Sequence, residues 1–309
     1  MSQALRDVQR AMLHAVASRT GVKLLSIKGE VAEAYGLRSV RAKGDIDVWC
    51  RPGDLGPFVR ALEACGWSRA PRTRASRTLA NHASTLLHQD WRYTVDVHSR
   101  FPGFMDTPES SFDVAWDTAS TVTYAGVPVY IPSLEVSALI LMLNGMRAQA
   151  DQAVAFQEAE ALVEVIRDNW DDARKARLLS VARAIGADQS AQPMIGRALG
   201  RAPDEGEHVV PMTRELRLWR MEVAAGHSAT AQAVRALVVA SWRGRLTIAR
   251  NLLFAPREEF VADHPGAPEG RRLATYRVSR LIRAVRSTPV LCRAYRSSPF
   301  RGAPGKHGR

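Results

Sequence analysis

Gly44-Asp45-Ile46-Asp47-Val48-Trp49 carries the pattern from which the fold can be built. Side chains along a strand alternate between faces, so Asp45 and Asp47 share one face while Ile46 and Val48 take the other, the side expected to meet the core. Two same-face carboxylates on one strand lie about 6.5 to 7 Å apart at the Cα level, from a rise of about 3.3 Å per residue. Side chains leaning together from that spacing can grip two cations about 3.5 to 4 Å apart, the separation used in two-metal phosphoryl transfer. Hard oxygen ligands of this kind suit Mg²⁺ or Mn²⁺. Thr94-Val95-Asp96-Val97-His98 repeats the alternation on a later strand. If the two strands are neighbours, about 4.8 Å apart, Asp96 completes a cluster of three carboxylates, with His98 one pleat along on the same face. A single Asp-x-Asp more often marks an exposed strand face, and a lone His after a strand is more often a surface residue. The conjunction of two acidic strands, Gly44 before the first pair and a Lys28-Gly29 break after the preceding strand favours a catalytic site.

Outward from these strands, residues 1–20 carry Leu5, Val8, Met12, Leu13 and Val16 at helical spacing, and residues 22–27 are strand-like. Residues 30–35 predict a short helix whose Glu30 and Glu33, one turn apart, are expected to form a solvated face. Asp54 is expected to cap a helix running to residue 65. Strands are predicted over 84–88 and 93–98, and a hairpin over 122–131 turns at Ala125-Gly126. After Pro132 the pattern is helical throughout: a helix opened by Ser133 and Glu135, then helices over 153–170, 172–185, 213–225 and 229–253. Strands mixed with helices first and helices alone afterwards predict an α+β fold followed by a helical domain. The expected boundaries are a core over 1–131, a helical domain over 132–296, and a basic tail over 297–309 whose composition predicts disorder.

Composition limits the function classes. The 309 residues are 46% hydrophobic and 24% charged, as in a globular protein. The net charge of +12 is local: residues 235–309 hold 16 Lys and Arg against 4 Asp and Glu, leaving 27 of each sign in residues 1–234. A neutral body with a basic end argues against a general nucleic-acid coat and suggests a local anionic partner: a phosphate-bearing substrate, RNA or a membrane surface. No apolar run reaches the roughly 18 to 20 residues that cross a bilayer. Arg6, Asp7 and Arg10 stand where a signal peptide needs an apolar core. Cys50, Cys65 and Cys292 lack metal-ligand spacing, which is read as reduced thiols and a cytoplasmic location. Near the end, Arg271, Arg272, Arg277, Arg280, Arg283 and Arg286 interleave with Leu273, Val278, Leu281, Ile282 and Val285. On a helix this is an apolar stripe flanked by arginines, expected to dock on the protein's own body and to present arginines beside the cleft to phosphates or an acidic acceptor, with a membrane surface or a merely solvated face as the alternatives.

Leu25-Ser26-Ile27-Lys28-Gly29, then Arg41-Ala42-Lys43-Gly44-Asp45-Ile46-Asp47-Val48-Trp49, then Val95-Asp96-Val97-His98 resemble, in that order, a bacterial nucleotidyltransferase-like family described as uncharacterised. That family is placed in the polymerase-beta-type nucleotidyltransferase superfamily. Ile131-Pro132-Ser133-Leu134-Glu135, Asn169-Trp170-Asp171-Asp172 and Leu253-Phe254-Ala255-Pro256 are similar to later segments of it, and residues 276–296 to its basic last helices. The resemblance implies a mixed sheet with helices, a helical domain behind it, and a metal-dependent transfer of NMP from an NTP to an acceptor hydroxyl. It implies that Asp45 and Asp47 hold both metals, and that Asp96 holds the catalytic one and helps deprotonate the acceptor. The implied nucleotide-binding set is Lys28, Gly29, Arg41 and Gly44. Most of the superfamily has a Gly-Ser pair where Lys28-Gly29 stands here, so a Lys point charge would replace the hydroxyl, with Gly29 letting the backbone approach. A plain strand-to-helix turn explains Gly29 equally well. Arg41 contacts a phosphate or pairs with the acidic cluster, and the resemblance gives His82 a site role where capping or packing is the ordinary expectation. The acceptor stays open among a sugar, a metabolite, a protein side chain and RNA. Two rivals stand beside this function. One is a non-catalytic nucleotide- or partner-binding relative on the same scaffold. The other is an RNA-binding protein using its basic C-terminus, weakened by the neutral body and by the absence of an aromatic-interleaved basic motif.

Overall fold

The structure, a computed structural model, describes residues 3–39, 45–74, 83–148, 153–201, 212–226, 228–262 and 272–296. Arg41, Gly44, His82, Arg271 and the tail over 297–309 lie outside the described residues. So do the side chains of Arg280 and Leu281. Two compact units divide the chain: the first holds the described residues of 3–70, 83–148 and 153–201, and the second those of 71–74, 212–226, 228–262 and 272–296.

In the first unit the order is α1 (Gln3–Arg19), β1 (Leu24–Ser26), α2 (Gly29–Ala34), β2 (Asp45–Cys50), α3 (Leu55–Glu63), β3 (Ser68–Arg69), β4 (Ala83–Leu87) and β5 (Thr94–His98). Then come α4 (Pro108–Asp117), β6 (Ser120–Tyr124), β7 (Val127–Ile131), α5 (Leu134–Met146), α6 (Ala153–Asn169), α7 (Asp172–Ala184) and α8 (Gln192–Ala198). Five strands form one sheet in the order β1-β2-β5-β4-β3, and β6 and β7 form a separate hairpin. β2 runs antiparallel to β1 and parallel to β5, so the sheet is mixed. The α+β class is therefore what the structure shows, and the strands cease at Ile131, with only helices described beyond it.

Alternation decides what each face meets. Ile46, Val48 and Cys50 from β2, Val95 and Val97 from β5 and Leu86 from β4 pack with Leu13 and Val16 of α1 and Phe58, Val59 and Leu62 of α3. Trp49, on the opposite face to Val48, is also fully buried, 5.4 Å edge-on to Phe112 and 5.8 Å from Phe104. One end of that second face is thus closed by aromatics, and its other end carries the carboxylates. The hairpin turns at Ala125 (φ 46°) and Gly126 (φ 78°), the two left-handed residues that a tight two-residue hairpin requires. α5 is apolar all round, and accordingly almost every side chain from Glu135 to Met146 is buried.

Three expectations need correction. Glu30 and Glu33 are not a solvated face: Glu30 is buried between Arg6 and Arg10 of α1, and Glu33 pairs with Arg38 at 3.2 Å. The Glu30 pairs pin the short α2 to α1. Asp54 does not cap α3 through its side chain, because Pro52–Asp54 forms a 3₁₀ turn that leads straight into the helix. The long helix expected over 229–253 is two, because Ala240 is extended (ψ 150°) and Ser241 starts a new helix by accepting from the N–H of Gly244.

The second unit contains α9 (Arg214–Ala224), α10 (Ala229–Val239), α11 (Trp242–Leu253), α12 (Arg257–Ala262) and α13 (Arg272–Arg296). Leu218 and Met221 of α9, Ala231 of α10 and Leu291 of α13 form its core.

Candidate active site

Register brings the acidic strands together. β2 and β5 pair so that Asp47 stands opposite Asp96 and Trp49 opposite His98. The antiparallel pairing of β4 with β5 then sets Thr85 opposite Asp96. Thr85 Oγ1 donates to Asp96 Oδ1 at 2.6 Å, which fixes the orientation of that carboxylate. His98 Nε2 lies 2.7 Å from Asp47 Oδ1, so an ionised Asp47 selects the tautomer with its proton on Nε2.

Lys28 reaches the same oxygen from the other side. The N–H of Ile27 still donates to the carbonyl of Asp47, at 3.1 Å, and the chain then turns sharply. Lys28 adopts φ 56°, ψ −149°, a conformation nearly reserved for glycine, and Gly29 follows at φ 43°. Backbone strain of this kind costs about 1 to 3 kcal/mol and is held in place by its surroundings. Here the surroundings are α2, clamped through Glu30, and the ion pair that the turn permits: Lys28 Nζ lies 2.8 Å from Asp47 Oδ1. The ammonium also sits 5.8 Å from the ring centroid of Phe101.

Burial works to raise the Asp47 carboxyl, but the Lys28 charge and the His98 hydrogen bond outweigh it and hold the group well below the usual carboxylate range. Asp45 goes the other way: although the residue reaches solvent at the start of β2, partial desolvation of its carboxyl by the surrounding protein, then repulsion from Asp47 and Asp96, raises it, and Lys28 offsets only part. Burial and the Lys28 charge lower His98 against the pull of Asp47 and Asp96, leaving a neutral imidazole at pH 7.

The donor atoms of Asp47, Asp96 and His98 all lie within 4.8 Å of one another. Two carboxylates beside a neutral imidazole, one of them already ionised, form a donor set that fits a divalent cation. Asp45 is not in this group of three; it stands at the exposed start of β2, one pleat from Asp47 on the same face. Of the residues singled out in the sequence, the structure brings together Asp47, Asp96, His98 and Lys28, with Gly29 at the turn. Thr85 and Phe101 were missed. Nothing in Ser84-Thr85 marks it, because its place opposite Asp96 depends on strand order, which the local pattern does not contain.

Residues 4–198 match the family described as uncharacterised nucleotidyltransferase, which is more than half of the 309-residue chain. The chain belongs to that family. No curated protein matches it. Similar solved structures include ANT(2'')-Ia in complex with adenylyl-2''-tobramycin, at 13% identity, covering 64% of this chain and 98% of that one, with a TM-score of 0.34. The lincosamide antibiotic adenylyltransferase LnuA, lincomycin-bound, is similar at 14% identity, covering 51% of this chain and 96% of that one, with a TM-score of 0.34. An antigenic nucleotidyltransferase-like protein from Paracoccidioides brasiliensis is similar at 12% identity, covering 63% and 94%, with a TM-score of 0.37.

Proposed function

We propose that this chain transfers a nucleoside monophosphate from an NTP to an acceptor hydroxyl, using the acidic face of β2 and β5. The observation that carries the proposal is the side-by-side placement of Asp47 and Asp96 on adjacent parallel strands, with Lys28 paired to Asp47. Asp47, Asp96 and the neighbouring Asp45 would hold Mg²⁺ or Mn²⁺, with His98 able to complete the donor set. When bound, such ions neutralise triphosphate charge and polarise the reacting oxygens. The chain's own residues do the positioning. Asp96, oriented by Thr85, faces the acceptor hydroxyl and takes its proton. His98 fixes Asp47. Lys28 and Gly29 offer an ammonium and an open backbone to phosphate, with Arg41 and Gly44 as further nucleotide contacts and His82 as an accessory residue. The acceptor oxygen bonds to the α-phosphorus as the bond to pyrophosphate breaks. The same proposal keeps the catalytic core in residues 1–131, a helical region in 132–296, whose helices up to Ala198 lie in the first compact unit, and a basic tail in 297–309, in the cytoplasm.

The test is to incubate the protein with each labelled NTP, Mg²⁺ or Mn²⁺ and cell extract, and to identify what acquires the nucleotide. Asp47→Asn is expected to abolish transfer while the protein stays folded, since it removes an anionic ligand and keeps the shape. Full activity in that variant would remove Asp47 from the mechanism. One observation favours a second function, a nucleotide-binding relative without catalysis: Lys28 Nζ lies 2.8 Å from Asp47 Oδ1, a charge partner that the chain itself supplies to this carboxylate. That function is supported if NTPs raise the melting temperature equally with and without divalent ions.

A further inference from the structure

The two faces of α13 meet different surroundings. Leu273 and Leu291 are buried, and Leu291 packs with α9 and α10 while Tyr295 lies alongside. Of the stripe singled out in the sequence, Leu273 therefore lies on the docked face, whereas Val278, Ile282 and Val285 do not. Val278, Ile282 and Val285 follow at i, i+4 and i+7, one line along the helix, and are 56%, 45% and 62% exposed. Pro289 extends the line by one more turn and is exposed too. Arg283, Arg286 and Arg293 are exposed on the same helix. At about 100° per residue, Arg286 and Arg293 fall on the immediate flank of the aliphatic line. The 25-residue helix carries seven arginines and no acidic residue. In the same unit Trp242 and Leu246 of α11, one turn apart, are exposed with Arg243 and Arg245 beside them.

An aliphatic line bordered by guanidinium groups is satisfied by a partner that offers apolar matter and anions at one surface. An anionic bilayer does so: valine and isoleucine enter the acyl boundary while the arginines meet headgroup phosphates. A nucleic acid offers the phosphates alone and would leave the aliphatic line in water, and the line has no aromatic on which a base could stack. Among the described residues no helix is long and apolar enough to cross a membrane, so the contact is with the surface. We propose that α13 seats this protein on an anionic lipid bilayer, with Val278, Ile282 and Val285 turned into the membrane and Arg286 and Arg293 at the headgroups. This stands independently of the chemistry proposed for the first unit.

The experiment is sedimentation of the full chain with phosphatidylcholine vesicles, with and without phosphatidylglycerol. Binding is expected only to the anionic vesicles, weakening with salt. Both Ile282→Asp with Val285→Asp and Arg286→Glu with Arg293→Glu are expected to reduce it at least about tenfold, since surface binding sums an apolar and an electrostatic part. The milder pair Ile282→Ser with Val285→Ser, checked for an unchanged melting curve, must weaken binding as well. The proposal is overturned if the chain stays in the supernatant, or if the stripe variants bind as well as the parent, which would leave only diffuse attraction by basic residues. It is also overturned if single-stranded RNA binds tightly while vesicles do not.

Discussion

Lys28 and Asp47 show how much one strained residue can decide. The pairing of their charges depends on a backbone conformation that lysine rarely adopts, and α2 holds it there through the buried Glu30. Lys28→Met removes a cation that competes for Asp47 and a charge offered to phosphate. Calorimetry is expected to show Mn²⁺ alone binding about tenfold tighter and an NTP with Mn²⁺ binding about tenfold weaker, each about 1.4 kcal/mol. A second residue sets a pH limit on stability. Burial, helped by the Arg10 charge, lowers His14 to about 3 while its Nε2 lies 3.1 Å from Ser26 Oγ. The unfolded chain therefore takes up a proton below the ordinary histidine value of about 6.5 that the folded chain refuses until about 3. Stability is thus full above that range and falls with pH across it, by up to about 1.4 kcal/mol per unit. Urea unfolding between pH 4 and 7 is expected to show this slope, and His14→Gln to flatten it. At this scale the sequence was informative where chemistry follows strand alternation, as at Asp47, Asp96 and His98. It was silent where a partner comes from another strand or a strained turn, as with Thr85 and the aim of Lys28.

Elements were legible in proportion to how local their causes are. β2 and the hairpin turn at Ala125-Gly126 fall where alternation and turn residues put them, because both signals are complete within a few residues. The helix over 108–117, opened by Thr107, was not foreseen; its first turn is polar and its buried positions, Ser111, Phe112 and Ala115, give a weak apolar period. Ser241 was hidden inside an apparently continuous helical pattern, since a single serine is equally at home within a helix or at its start. Packing between elements was not legible at all. A methyl added at Gly145 of α5 would stand 2.3 Å from the Ala159 Cβ and 2.8 Å from the Ala155 carbonyl oxygen of α6. These two helices approach as closely as they do because that position has no side chain. Gly145→Ala is expected to destabilise the first unit by about 1 to 3 kcal/mol, the usual cost of overpacking, despite the better helix propensity of alanine. Denaturant titration measures it.

The whole molecule combines a compact unit that carries the carboxylates with a second, helical unit that carries most of the surplus positive charge. Composition revealed the charge asymmetry but not where the compact units divide, because helices after Ile131 pack into the first unit through contacts that no local pattern records. Two units with separate cores are not expected to unfold as one. Calorimetric melting is expected to resolve two transitions, and Mg²⁺ with an NTP is expected to raise only the one belonging to the first unit. A ligand-induced rise in both would mean that the nucleotide couples them.

The register that sets Asp47 against Asp96 also orders events in time. Thr85 and Asp96 are 11 residues apart, so their strands can meet by closing a short loop, whereas Asp47 and His98 are 51 apart and join strands that run in the same direction. Closing the longer loop carries the larger entropic cost, and parallel pairings across it form slowly. During refolding, the Thr85–Asp96 half of the constellation is therefore expected to assemble first, and the Asp47 half to arrive with the closing of the sheet. If the proposed cation site is real, recovery of Mn²⁺ binding on refolding is expected to lag behind the recovery of helices and hairpins.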